Sequence, residues 1–120
     1  MDRAEIRTWL TDRPELLEAV ELQGPKGQAG ERKNKKLKEV AGFCEIILRY
    51  VRKWQADAEL LRVLEPSCGK SYLGLLLKLL LEDVRGQNVE LTGNDVDEKL
   101  VEKCRQVAAE AGVDEARYLA

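Results

Sequence analysis

Residues 61–111 of the chain repeat one pattern: a short apolar run, a turn of small or polar residues, and a longer segment with helical spacing. The first run, 61–65, is largely apolar and precedes Pro66, which favours a buried strand covered on both faces. The second run is 89–92. Strands that alternate with helices predict a parallel sheet, here the first part of a doubly wound α/β fold.

The helices of this pattern are predicted over residues 72–81, where leucine dominates, and over 98–111, where apolar residues recur every three or four positions. Asp97 is well placed to cap the start of the second helix, and Gly112 to end it. Residues 117–119 are predicted to begin a third strand.

The first 30 residues predict a helical extension followed by a loop. One short helix is expected over residues 4–10 and a second from about Thr11 to Leu22, because Pro14 suits the first turn of a helix. Residues 24–30 are rich in glycine and have almost nothing to bury, so they predict a flexible loop. We therefore expect the domain itself to span residues 31–120.

The clearest periodicity in the chain, over residues 34–54, predicts a long amphipathic helix. Basic side chains are concentrated at its start, and we call them the basic cluster: Arg32, Lys33, Lys35, Lys36 and Lys38. Such a run is commonly a solvated helix surface, and it is also the pattern of a patch that contacts phosphates. RNA is therefore a candidate partner.

Composition bounds the class of protein. A chain of 120 residues with 44% hydrophobic residues has room for one domain with a core, and its net charge of −2 argues against a surface wholly devoted to nucleic acid. The longest apolar run, 73–81, is interrupted by Gly74 and Lys78 and is too short to cross a bilayer. With charges from the second residue and no apolar leader, a cytoplasmic location is expected.

The absence of histidine excludes Ser/His and Cys/His nucleophilic machinery and any imidazole metal ligand. The three cysteines, Cys44, Cys68 and Cys104, are scattered and odd in number, which fits neither a zinc ribbon nor a disulfide framework. They are expected to be reduced thiols, and no metal site is predicted.

Two turns of the predicted sheet are placed to bind a ligand. In an open α/β sheet, ligands bind outside the carboxyl ends of the strands, where helix N-termini attract anions and polar groups. The first turn, 65–71, combines small residues with one carboxylate, and Asp95 follows the second strand, where an acid can accept hydrogen bonds from both hydroxyls of a ribose.

These turns resemble a known family. Residues 63–73, Val-Leu-Glu-Pro-Ser-Cys-Gly-Lys-Ser-Tyr-Leu, are similar to motif I of the class I S-adenosylmethionine-dependent methyltransferases. Residues 93–97, Gly-Asn-Asp-Val-Asp, resemble the acidic motif after the second strand of that family. The Cys-Gly-Lys-Ser-Tyr-Leu turn, the lysine-rich segment 34–40 and the Val-Arg-Gly turn 84–86 are similar to one bacterial and eukaryotic methyltransferase subgroup.

The resemblance implies a Rossmann-like methyltransferase fold, truncated near its third strand, with the N-terminal helical extension in front. It also implies S-adenosylmethionine as cofactor, bound by Glu65, Pro66, Ser67, Cys68, Gly69, Asp95 and Val96. Gly69 and the backbone of Ser67 and Cys68 would lie against the methionine part. Glu65 would face the amino group or a water bound to it, Asp95 the ribose hydroxyls, and Val96 the adenine. Methyl transfer from a sulfonium mainly needs positioning and desolvation, so the lack of histidine is compatible with it.

Each site residue also has a structural interpretation. Ser67, Gly69 and Ser71 permit a tight connection from strand to helix, and Asp95 could cap a helix, although Asp97 suits that role better. Cys68 is expected to be a small turn residue rather than a nucleophile.

Two other interpretations concern nucleotides and aromatic side chains. Gly69-Lys70-Ser71 imitates the end of a P-loop, but the leading glycine that such a loop requires falls at Leu64. Trp9, Tyr50 and Trp54 are expected to be core or interface residues rather than base-stacking platforms, because aromatic residues are only 5% of the chain.

A non-enzymatic alternative remains open: a half-domain that oligomerises or completes its sheet with a partner chain. A sheet of two or three strands leaves unpaired edges and an uncovered apolar face. The side chains expected to supply much of that exposed area are Leu75, Leu76, Leu79, Leu80 and Val101.

Overall fold

A computed structural model describes residues 1–22, 30–113 and 116–120. Within these residues the elements are α1 (Arg3–Thr11), α2 (Pro14–Ala19), α3 (Glu31–Trp54), β1 (Leu60–Glu65), α4 (Tyr72–Arg85), β2 (Asn88–Asn94), α5 (Glu98–Glu110) and β3 (Ala116–Leu119). The chain divides into two compact units, residues 1–54 and 55–120. By its contacts α3 belongs with α1 and α2, whereas the boundary predicted near residue 30 groups it with the sheet; that boundary stays a prediction.

The predicted order of elements is confirmed, and several bounds differ. Helix α3 begins three residues before the predicted start, α4 extends four residues beyond the predicted end, and β2 is longer at both ends. The second helix stops at Ala19 instead of Leu22, because the chain turns at Glu21, where φ is +63°. Of the loop predicted over 24–30, all but Gly30 lies outside the described residues.

The described part of the first unit, residues 1–22 and 30–54, contains the three helices α1, α2 and α3. Asp2 caps α1 and forms a reciprocal capping box with Glu5. The backbone N–H of Arg3 donates to Glu45 Oε2 at 2.5 Å, and its guanidinium lies 3.9 Å from Oε1 of the same carboxylate, which ties α1 to α3. The core side chains of this unit include Ile6, Leu10, Leu17, Val20, Val40, Ala41, Cys44 and Leu48.

In the second unit the described strands form a three-stranded parallel sheet in the order β1-β2-β3. The register pairs Glu65 with Gly93, and Gly93 with Tyr118, so the three strands reach their carboxyl ends side by side. Helix α4 packs on β2 and α5 packs on β3. Asp97 caps α5 as predicted, and Gly112, with φ of +72°, follows its last turn.

The predicted exposed apolar face is wrong in its residues. Leu75, Leu76, Leu80 and Val101 are at most 1% exposed, because α4 and α5 pack on β2 and β3, and Leu79 is half-buried. Strand β1, which was expected to be covered on both faces, instead exposes alternate residues on one of them. Among the described side chains of the second unit, the large apolar ones that are exposed are Leu60, Leu64, Val84, Val96 and Leu119.

Among the described residues, no helix is both long enough and apolar enough to span a membrane.

Candidate functional site

Two hydrogen bonds join the loop that follows β1 to the end of β2 and to the loop after it. The first loop comprises residues 66–71 and the second loop residues 95–97. The N–H of Cys68 donates to the carbonyl of Asn94 at 2.8 Å, and the N–H of Gly69 donates to Asp95 Oδ2 at 3.1 Å. The sheet therefore brings together the two segments that the sequence predicted to share a site.

The first loop has an unusual backbone. Ser67, Gly69 and Ser71 have φ of +49°, +53° and +59°, a region that non-glycine residues seldom adopt. A Cβ built on Gly69 would meet no atom within 4 Å, so open space lies beside its bare backbone. Non-glycine residues held in such backbone conformations cost free energy and cluster at functional sites.

Glu65 anchors the start of α4. Its Oε1 accepts a hydrogen bond from the Ser71 hydroxyl at 2.6 Å, and its Oε2 accepts one from the N–H of Gly74 at 3.1 Å. A Cβ on Gly74 would lie 2.5 Å from Oε1, so only glycine lets the carboxylate approach this turn. Burial raises the pKa of Glu65, while the two hydrogen bonds act in the opposite direction. Both carboxylate oxygens are thus turned to the N-terminal turn of α4, where a negative charge is favourable.

Tyr118 on β3 continues this network. Its hydroxyl, in a side chain only 3% exposed, donates to Ser71 Oγ at 3.0 Å, and Ser71 in turn donates to Glu65. Burial raises the pKa of Tyr118, so the phenol stays a donor at neutral pH. The Tyr118 ring packs so closely on Gly93 that a Cβ there would lie 2.9 Å from two ring atoms.

The first loop is stabilised by two cysteines, Cys68 within it and Cys104 on α5. The Sγ atoms of Cys68 and Cys104 are 4.0 Å apart, and Cys104 donates to the carbonyl of Gly69 at 2.9 Å. Burial raises the pKa of Cys104 to about 12 and raises that of Cys68. Both are free thiols, protonated at neutral pH, which agrees with Cys68 being a turn residue and not a nucleophile.

The second loop is shaped by Asp95 and Asp97. Asp95 Oδ1 accepts a hydrogen bond from the N–H of Asp97 at 2.9 Å, while Oδ2 accepts the one from Gly69. Each carboxylate oxygen has a second lone pair, so two acceptor positions on Asp95 remain for a ligand. Val96 between them is 97% exposed, an apolar side chain that a flat apolar group could cover.

The other predicted site residues differ in burial. Pro66 and Ser67 are exposed, Gly69 is half-buried and Cys68 is buried. Tyr118, Cys104 and Gly74 contact the site and were not predicted. The position of Tyr118 at the carboxyl end of a parallel strand was a usable signal, but the sequence contains none for Cys104, which approaches the loop from a helix 36 residues away.

A cleft of about 320 Å³ at the other end of the sheet holds none of the predicted site residues. It lies where β2 begins and is lined in part by Lys78, Glu82 and Gln87. The buried ammonium of Lys78 donates to Glu82 and to the carbonyl of Val89, so its charge is already compensated.

A parallel β-α-β-α-β arrangement with paired loops at its carboxyl edge defines the chain as part of a Rossmann-like α/β protein. Residues 35–119, most of the chain, match the family described as "Methyltransferase domain". The chain belongs to this methyltransferase domain family.

The comparison with solved structures gives the same fold. The chain is similar to the crystal structure of a mutant of MtNAS in complex with S-adenosylmethionine, with a TM-score of 0.52 and 15% sequence identity over 98% of this chain. The chain spans 44% of the length of that protein. No curated protein matches the chain.

Proposed function

We propose that the chain binds S-adenosylmethionine at its two joined loops and serves as the cofactor-binding part of a methyltransferase. The observation that carries the proposal is the 3.1 Å hydrogen bond from Gly69 to Asp95, which unites the two segments that resemble the family's cofactor motifs. Membership of the family and the S-adenosylmethionine bound by the structurally similar MtNAS mutant support it.

The residues present fit this cofactor. The open backbone of Gly69, with Ser67 and Cys68 beside it, suits the methionine part, and the spare lone pairs of Asp95 suit the two ribose hydroxyls. Val96 offers an apolar surface to the adenine. Both carboxylate oxygens of Glu65 already accept hydrogen bonds within the protein, so its proposed role is to maintain the conformation and the negative charge of the first loop. A spare lone pair on this carboxylate is proposed to face the amino group of the cofactor.

When bound, the cofactor supplies a methyl group on a positively charged sulfur. The role of this chain in the reaction is to position the cofactor, because in-line transfer depends on holding two reactants in contact. The hydrogen bonds of Tyr118, Ser71 and Cys104 hold the first loop in its left-handed conformation, while Asp95 fixes the second loop against it. The catalytic residues are not assigned.

Calorimetric titration with S-adenosylmethionine, S-adenosylhomocysteine and ATP tests the proposal. We expect saturable binding of the first two and loss of at least tenfold in affinity in Asp95→Ala, since two acceptors of the ribose hydroxyls disappear. Asp97→Ala is the matched control, because Asp97 caps α5 and is not assigned to the cofactor. Binding of ATP alone would support a P-loop instead, and binding of none of the three would overturn the proposal.

RNA is the proposed methyl acceptor, and the proposed location is the cytoplasm. Four of the five side chains of the basic cluster are exposed in the first turns of α3, and Lys33 is half-buried. The positive end of the helix dipole repels cations at this position, so these side chains do not stabilise the helix. They are well suited to contact the phosphates of a nucleic acid. RNA affinity that falls steeply with salt is expected; affinity indifferent to salt would remove RNA from the proposal.

The second candidate is a half-domain that pairs with another copy or with a partner chain. Strand β1 is hydrogen-bonded to β2 on one side only among the described strands, and its Leu64 is 67% exposed. An apolar strand with a free edge is a template for a further strand. Light scattering at low micromolar concentration tests this candidate, and a strict monomer that binds no partner would contradict it.

A further inference from the structure

Helix α3 has a second apolar stripe that points away from its core side. The side chains of this outer face are 57% to 63% exposed: Phe43, Ile46, Tyr50 and Trp54. Their spacing of three, four and four residues places them on one side of the helix. The core side is formed by other residues, among them Val40, Cys44, Leu48 and Val51. Among the described residues 1–22 and 30–54, none covers the outer face, although three of its four members are aromatic.

Exposed cations continue the same face. Lys36, Phe43 and Tyr50 follow one another at seven residues, about two helical turns, and Arg32, Phe43 and Trp54 follow at eleven, about three turns. The Lys53 ammonium lies 5.1 Å from the centre of the Trp54 ring. The outer face therefore carries cations at both of its ends, with the apolar and aromatic side chains between and beside them.

The charge of α3 selects among possible occupants. Eight of its residues are Lys or Arg and three are Glu, a net charge of +5. Glu39 Oε2 lies 3.8 Å from Lys36 Nζ, and Glu45 Oε1 lies 3.9 Å from Arg3 Nη2. Two of the three acids therefore already form ion pairs. Binding of a second copy would bring two such helices face to face, and their positive charges would repel each other. An anionic partner gains from the charge.

The aromatic rings distinguish a nucleic acid from other anions. With a rise of 1.5 Å per residue, Phe43 and Tyr50 lie about 10 Å apart along the helix, and Tyr50 and Trp54 about 6 Å. Flat side chains beside cations are the arrangement that binds single strands, because bases stack on the rings while phosphates meet the charges. A lipid surface would favour a wider aliphatic face, and Ile46 is the only exposed aliphatic side chain of the described stripe.

We propose that the outer face of α3 binds single-stranded RNA, with bases stacked on Phe43, Tyr50 and Trp54 and phosphates held by Arg32, Lys36 and Lys53. Methyl transfer to the bound RNA would depend on the proposed function, and the inference rests on it in that respect. RNA binding to the outer face does not depend on it. The sequence predicted Tyr50 and Trp54 to be core or interface residues. The inference instead assigns to these exposed side chains the stacking of RNA bases.

Fluorescence anisotropy with a labelled twelve-nucleotide oligouridine RNA tests the inference. We expect Tyr50→Ala and Trp54→Ala each to lose about tenfold in affinity, whereas Trp54→Phe retains binding within about threefold. Ile46→Ala is the matched control, because it removes an equally exposed apolar side chain that cannot stack. All three positions are exposed, so the four variants are expected to fold, and circular dichroism checks this.

A spectroscopic readout separates stacking from charge attraction alone. Trp54 is exposed and Trp9 is buried, so RNA should quench the red-shifted emission, and the quenching should disappear in Trp54→Phe. Lys36→Glu should weaken binding and flatten its salt dependence. The inference is overturned if alanine at Tyr50 and Trp54 leaves affinity unchanged, or if no RNA binds at low salt. It is also overturned if anionic vesicles, DNA or a second copy occupy the face in preference to RNA.

The cofactor titration keeps the two proposals apart. Tyr50→Ala should bind S-adenosylmethionine like the unaltered chain. If the unaltered chain binds the cofactor but no RNA, this inference alone is overturned; if it binds RNA but not the cofactor, the proposed function alone is overturned.

Discussion

The backbone N–H of Gly69 and the carboxylate of Asp95 are 3.1 Å apart, and this hydrogen bond makes one structure of two loops that are 26 residues apart in sequence. The same carboxylate holds its own loop through the N–H of Asp97. Asp95 therefore shapes the site before any ligand arrives, which predicts a cost in stability as well as in binding when it is removed.

We expect Asp95→Ala to lower the free energy of unfolding by about 2 kcal/mol, because a half-buried N–H loses a charged acceptor. Asp95→Asn should lose roughly half as much, since one acceptor oxygen remains. Urea denaturation measures both. Asp97→Ala, which removes the cap of α5, should cost about 1 kcal/mol, and an Asp95→Ala chain as stable as the unaltered one would contradict the structural role.

Gly93→Ala should destabilise the sheet by about 1–3 kcal/mol. The added Cβ would lie 2.9 Å from two atoms of the Tyr118 ring and 3.2 Å from the Cβ of Cys68, and these neighbours are held in the core. The matched control is Gly42→Ala in α3, where the new Cβ lies 3.4 Å from the flexible Arg3 side chain. There alanine should stabilise by up to about 1 kcal/mol, because it favours helix over glycine. Equal thermal shifts for the two variants would contradict this prediction.

The order of strands and helices was predictable because its signals are local. Pro66 ends one apolar run, Gly86 and Gly112 end two helices, and Asp97 begins one, each through its own backbone preference or side-chain oxygen. The parallel topology then brings Asp95 beside Gly69 without further information, because the carboxyl ends of neighbouring parallel strands meet.

The remaining features of the site depend on distant packing. Glu65 could face solvent or α4, and only the absence of a side chain at Gly74 allows the carboxylate to approach the helix. Tyr118 contacts Ser71 across 47 residues, which no spacing rule foretells. In α3 the periodicity identified the buried side correctly, but a second stripe with the same period, ending at Trp54, could not be told from core until its exposure was known.

The pH dependence of stability should contain a contribution from Glu65. Burial raises its folded-state pKa above the ordinary value of 4.5, so the folded chain holds this proton more tightly than the unfolded chain. The resulting stabilisation is fully present below pH 4.5 and is lost as pH rises through the folded-state pKa. The stability difference between the unaltered chain and Glu65→Gln should therefore decrease with rising pH over this window.

Urea denaturation at several pH values above 4.5 measures that difference. The exposed Glu110→Gln variant serves as the control, and its difference from the unaltered chain should not follow the same course. A stability difference for Glu65→Gln that increases with pH would show that its hydrogen bonds from Ser71 and Gly74 outweigh burial.

Tyr118→Phe tests the hydrogen-bond chain that supports the first loop. The change keeps the ring on Gly93 but removes the donor to Ser71 Oγ, so we expect a loss of about 1 kcal/mol in unfolding free energy. Tyr118→Ala also removes the buried ring and should cost about 3–5 kcal/mol. The neighbouring Leu119 is 56% exposed, so Leu119→Ala should stay within about 0.5 kcal/mol. If Tyr118→Phe proves as stable as the unaltered chain, the phenol contributes only through its ring, and the first loop depends on Glu65 and Cys104 instead.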